Sequence, residues 1–123
     1  MSCSTIFLLG TLASLALAQS VAGQPIPRIQ VSEIKPLLTR AIEQGSAHGV
    51  LVGVGATYMR QKFDSAAPIE IDVRALQALS QPGCSRLEVA TRQRDVLERG
   101  KRGDKELTYQ VSYCRDGRFP DKR

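Results

Sequence analysis

The chain has 123 residues, 42% hydrophobic and 24% charged, with a formal net charge of +5 and no tryptophan. Once an N-terminal leader is set aside, that size suits one small domain and excludes two. Only three phenylalanines are present, and Phe7 lies in the leader, so the core must be mostly aliphatic.

Ile6 to Ala18 is an apolar run of about 13 residues. That fits a secretory h-region and falls short of the roughly 20 residues that span a bilayer. Ala16-Leu17-Ala18 predicts cleavage before Gln19, and Ser20-Val21-Ala22 offers a second site before Gly23. Met1 to Thr5 carries no Lys or Arg, a departure that leaves an uncleaved apolar N-terminus as the competing reading. The expected organisation is a signal peptide over 1–18, a linker over 19–30 and one domain over 31–123. The mature protein is then periplasmic or secreted, with no integral membrane span. Cys3 departs with the leader, so Cys84 and Cys114 remain as an even pair in an oxidising compartment.

Gln24-Pro25-Ile26-Pro27 reads as an extended lead-in. A helix is predicted from about Ser32 or Lys35 to Gln44, with Pro36 in its first turn. Leu37, Leu38, Ala41 and Ile42 form its apolar stripe, and Gly45 ends it. Gly49 to Gly55 is too rich in glycine for a long helix and reads as a short strand or close-packed turn. Ala56, Met59 and Phe63 suit a two-turn amphipathic helix, with one bent strand from Val50 to Phe63 as the alternative. Asp64 to Pro68 is a loop. Ile69, Ile71 and Val73 alternate with Glu70 and Asp72 as a half-buried strand. Asp72 is expected to cap a short helix over Arg74 to Leu79, stopped by Pro82-Gly83.

The last forty residues are the most constraining. Ser85, Leu87, Val89 and Thr91 alternate with polar residues, as do Leu107, Tyr109, Val111 and Tyr113, so two strands are predicted. Arg99 to Lys105 is the polar turn region between them. With Cys84 opposite Cys114, Leu87 meets Val111, Val89 meets Tyr109 and Thr91 meets Leu107 on one face. The other face receives Arg86 with Ser112, Glu88 with Gln110, Arg92 with Glu106 and Arg94 with Asp104. A slip of one residue would oppose apolar to polar positions throughout. Opposed Cα atoms lie about 4.5–5.5 Å apart, within reach of a disulfide. Closing a loop of roughly 30 residues contributes about 3–4 kcal/mol on the chain-entropy model.

Signals for chemistry are sparse. His48, the single histidine, sits among glycines and reads as a loop or turn residue. Glu70 and Asp72 share a strand face, as period-two spacing places them on any solvated strand. Gly53-Val54-Gly55 lacks the third glycine of a dinucleotide loop, since Tyr58 stands there. The cysteines have neither Cys-x-x-Cys spacing nor a nearby histidine, so no metal or cofactor is expected. The region from Cys84 to Arg123 holds 11 Lys+Arg against 7 Asp+Glu, or +4 of the +5. Arg99, Lys101, Arg102 and Lys105 form its sharpest cluster, expected at the hairpin tip, where phosphate or an acidic partner could bind. The tip sequence has no interleaved aromatic on which a base could stack.

Ala67-Pro68-Ile69-Glu70-Ile71-Asp72-Val73, Pro82-Gly83-Cys84-Ser85-Arg86-Leu87 and Tyr109-Gln110-Val111-Ser112-Tyr113-Cys114-Arg115-Asp116-Gly117, followed by Pro120, carry a resemblance. With Gly49 to Gly53 it covers about residues 45–120. The chain resembles small exported proteins encoded in bacterial conjugative-transfer gene clusters. The resemblance implies an accessory role near a transfer apparatus in the cell envelope, with the cysteines and Gly117 as scaffold positions.

The expected fold is α+β: short helices on an antiparallel sheet whose C-terminal hairpin is bridged by Cys84–Cys114. The expected function is a non-catalytic periplasmic accessory protein with envelope protein partners. The alternative is a small module that binds an anionic ligand or polymer through the basic tip, and an envelope hydrolase is the third reading.

Overall fold

A computed structural model describes Gly10 and residues 26–121. The expected signal peptide, its cleavage sites and Cys3 lie outside the described residues apart from Gly10.

The domain is α+β, with two helices and a five-stranded, mostly antiparallel sheet in the order β1-β2-β3-β4-β5. Strand β1 (Ile29–Val31) starts the fold two residues ahead of the expected domain boundary and pairs parallel with β2 (Ser46–Leu51). Helix α1 (Lys35–Gln44) makes that crossover. Pro36 stands in its first turn, Leu37, Leu38 and Ala41 are buried, and Gly45 ends it with its N–H on the Ala41 carbonyl. The predicted helix and its stripe are therefore the observed ones.

Of the glycine-punctuated segment after α1, residues 49–51 are strand β2, while Gly53 is the N-cap of the next helix and Val54 and Gly55 lie in its first turn. A Cβ on Gly49 would stand 2.8 Å from Leu37 Cδ1 and 3.2 Å from the Ile29 carbonyl oxygen. Leu37 is fully buried, so its side chain has no room to yield. Glycine at this position lets α1 lie directly on β2. Helix α2 (Val54–Lys62) follows; it buries Ala56 and reaches Phe63 as its C-cap.

Strand β3 (Ile69–Ala78) runs on where a helix was expected over Arg74 to Leu79. The segment has good helix formers, but β4 (Cys84–Glu98) offers it a ladder as far as Ala78 opposite Ser85. Pairing with β4 overrides local preference. A bulge between Ala75 and Gln77 leaves Leu76 unopposed, which absorbs the break in alternation. Asp72 caps nothing; its carboxylate is held across the sheet.

Strands β4 and β5 (Lys101–Cys114) form the predicted hairpin, in the predicted register from Cys84–Cys114 through Arg92–Glu106. The disulfide is present, with its Cα atoms 3.9 Å apart, closer than an ordinary opposed pair. Toward the tip the expectation needs correction. The strands continue to Glu98 opposite Lys101, so the turn is only Arg99–Gly100, with both residues left-handed at φ 53° and 77° as a tight hairpin turn requires. The register set at the cysteines would leave an odd number of residues in the turn. A bulge on β4 resolves this: Arg94 and Asp95 together oppose Asp104, and Asp95 adopts φ 50°. Arg94 therefore does not pair with Asp104, whose Oδ1 accepts from the Asp95 N–H instead.

Helix α1 packs on one side of the sheet. The core there comprises Leu37, Leu38 and Ala41 of α1 against Ala47, Ile71, Val73, Leu87, Val89 and Tyr113. The C-terminal tail folds back so that Phe119 meets Tyr113 edge-to-face at 5.6 Å. Among the described residues no helix is long and apolar enough to cross a membrane.

Candidate functional site

The four basic residues of the hairpin do not act as one patch. Arg102 Nη2 donates to Asp64 Oδ2 at 2.6 Å, and its Nη1 lies 3.6 Å from Asp95 Oδ1. Lys105 Nζ donates to Glu98 Oε2 at 2.5 Å while lying 4.3 Å from the centre of the Phe63 ring. That hydrogen bond holds the Glu98 carboxyl below its ordinary value. Arg99 and Lys101, at and beside the turn, make no salt bridge among the described residues, although Glu98 stands opposite Lys101 in the ladder. The cluster thus divides into two matched charges that fasten the tip to α2 and two that face solvent.

The fold supplies something the linear sequence did not show. Phe63, at the end of α2, lies under Lys105, and Lys62 stands 5.9 Å from the Tyr58 ring and 5.6 Å from the Phe63 ring. Lysines and aromatics therefore interleave beside the tip, contributed by two elements forty residues apart. Between α2 and the hairpin lies an open cavity of about 590 Å³, with Arg60, Gln61, Asp64, Ser65, Asp95 and Arg102 in its wall.

On the open face of the sheet, His48, Glu70 and Asp72 converge. His48 is a strand residue of β2 opposite Asp72 of β3, not the loop or turn residue expected. Its Nδ1 donates to Asp72 Oδ1 at 2.7 Å. Arg28, from the lead-in to β1, reaches across to Asp72 at 2.9 Å, Glu70 at 3.2 Å and the Gly49 carbonyl at 3.2 Å. Burial raises the Asp72 carboxyl, but hydrogen bonds and charge from Arg28 and His48 outweigh it and hold the group below its ordinary value. With both acids held by one guanidinium, the cluster ties the start of the domain to β2 and β3. Arg28 gave no sequence signal, because it lies outside any periodic element and 44 positions from Asp72.

The rest of that face continues the pairing. Arg74 binds Glu88 at 2.8 Å, Arg86 donates to Gln110 and Ser112, and Arg92 lies 3.4 Å from Glu106. Glu88 was expected opposite Gln110, and it is, but its carboxylate turns to Arg74 on the other neighbouring strand.

The helix side of β5 behaves differently. Tyr113 is 1% exposed, but along the same face Tyr109 is 40% and Leu107 58% exposed. Neither helix covers them. Val54 and Tyr58 of α2 are also exposed. Comparison with protein-family models, curated proteins and solved structures finds no match to this chain.

Proposed function

We propose that this chain is an exported, non-catalytic accessory protein that works by contact with envelope proteins. The observation that carries the reading is the bare apolar stretch of Leu107 and Tyr109, on a face whose other half is core. The open face, by contrast, spends its charges on internal pairs. The apolar leader and the Cys84–Cys114 bridge support export, since such bridges persist in oxidising compartments. The resemblance to conjugative-transfer accessory proteins makes a DNA-transfer apparatus the first partner to test.

A photo-crosslinking residue in place of Leu107 or Tyr109 should give adducts with envelope proteins in cells. The same residue in place of Arg92, on the opposite face, should give few. Absence of adducts at both apolar positions would remove the reading. Deletion of the gene should lower transfer frequency, and His48→Ala with Glu70→Gln should complement it fully; failure to complement favours the hydrolase.

A second reading, binding of an anionic polymer, is favoured by the unmatched Arg99 and Lys101 beside interleaved Lys62, Phe63 and Lys105.

A further inference from the structure

Strand β5 forms one edge of the sheet. Ten successive residues, Lys101 to Gln110, are exposed along it. The opposite edge, β1, is only three residues long. The N–H of Cys114 bonds to the Arg118 carbonyl in the returning tail, so it points away from β4. By the alternation of an antiparallel ladder, the backbone groups of Ser112, Gln110, Thr108 and Glu106 point the same way. Among the described residues, no other backbone group pairs with them. Exposed edges are ordinarily blunted by proline, lysine or a bulge. From Glu106 to Ser112 this edge has none of these: the bulge near the tip is on β4, and Lys105 guards only the tip end.

The strand is also complementary to itself. If Thr108 opposes Thr108 of a second copy, Leu107 meets Tyr109, Glu106 meets Gln110 and Lys105 meets Val111. Centring the pair on Lys105 or Glu106 instead would set like charges against each other, which is destabilising. Centring it beyond Gln110 runs into the tail that already occupies Cys114. The allowed centre falls where the exposed apolar residues lie.

We infer that two copies of this chain pair through β5, antiparallel about a two-fold axis at Thr108, to make one continuous ten-stranded sheet. The ladder supplies the hydrogen bonds, and the isologous geometry covers Leu107 and Tyr109 of each copy with those of the other. The inference concerns a contact of the purified chain with itself and uses the same Leu107 and Tyr109 as the proposed function, so a crosslinked adduct of twice the chain's mass reports the dimer and an adduct of any other mass an envelope partner.

Sedimentation equilibrium of the oxidised mature protein, from low to several hundred micromolar, tests it. The wild type should form a dimer that dissociates on dilution. Thr108→Pro removes an outward N–H that the lone domain does not use. It should weaken association at least about tenfold, with unchanged far-ultraviolet circular dichroism. If that variant does not fold, charge substitutions decide. Leu107→Lys with Tyr109→Lys should give a monomer, because the axis at Thr108 opposes the two new cations. Leu107→Lys with Tyr109→Glu should restore the dimer. A wild type that stays monomeric throughout, or a dimer indifferent to these changes, overturns the inference. A monomer would leave the edge to a strand of another protein and leave the crosslinking test of the proposed function untouched.

Discussion

One alternating pattern runs the length of the β4–β5 hairpin, yet its two ends meet different fates. At the root, Leu87, Val89 and Tyr113 are at most 1% exposed, pressed under α1 and locked by the Cys84–Cys114 bridge. Toward the tip, Leu107 and Tyr109 occupy the same face with nothing above them, and the tip is held by the ion pairs Arg102 to Asp64 and Lys105 to Glu98, by the Leu97 N–H on the Phe63 carbonyl and by buried Val96. The difference lies in the helices. The ten residues of α1 cover the root, while α2 buries Ala56 and the tip is fastened to the residues just after it, Phe63 and Asp64. An alternating strand thus states which side chains share a face, and a separate element decides whether that face is a core or a contact surface.

The root should therefore carry the stability. Cys84→Ala with Cys114→Ala should cost about 3–4 kcal/mol, read from urea unfolding against the oxidised wild type. Leu87→Ala should cost about 3 kcal/mol as a buried leucine truncation. Leu107→Ala, measured at concentrations where the chain is monomeric, should stay within about 0.5 kcal/mol. Equal costs for the two leucines would break the contrast. Gly49→Val sharpens it at the other contact of α1: overpacking against Leu37 and the Ile29 carbonyl should cost about 1–3 kcal/mol.

The same division governs how much was legible in the sequence. The register from Cys84 to Arg92 could be read because a bridge, an apolar alternation and a charge pair all require it. Arg94 and Asp104 failed because parity of the turn, not side-chain pattern, governs the tip, and the Arg99–Gly100 turn needed a bulge at Asp95. The helix expected after Asp72 failed because helix propensity is weaker than a strand partner that lies 7 to 14 residues away in sequence. The convergence of Arg28, His48, Glu70 and Asp72, and of Lys62 and Phe63 with Lys105, depends on residues distant in the chain. No local periodicity marks such meetings. The uncovered state of Leu107 and Tyr109 was equally hidden, since their alternation is that of buried residues.

Acid should also separate the two regions. Asp72 and Glu98 are both held below their ordinary values, the first against a desolvation penalty by Arg28 and His48, the second by Lys105. A depressed carboxyl contributes stability that is present above its ordinary value, 3.8 for Asp72, and lost as pH falls through its lower folded value. Asp72 sits where three elements meet, with Arg28 and His48 both on it, whereas Glu98 has the single partner Lys105 on an exposed tip. Asp72→Asn should lower the urea midpoint at neutral pH and flatten its fall on acidification. Glu98→Gln should leave the acid limb of the curve nearly unchanged.

The smallest effects belong to the tip itself. Arg102→Ala should cost about 0.2–1 kcal/mol, the scale of an exposed ion pair, and Arg99→Ser with Lys101→Ser should cost nothing measurable. On a heparin column the order should reverse. Arg99 and Lys101 make no salt bridge with a described acid, so their replacement should lower the eluting salt more than replacement of Arg102 and Lys105. The charges of the second pair are already met by Asp64, Asp95 and Glu98. Equal shifts from the two double variants would mean that the ion pairs open when a polyanion arrives, and the tip would then count as one basic patch after all.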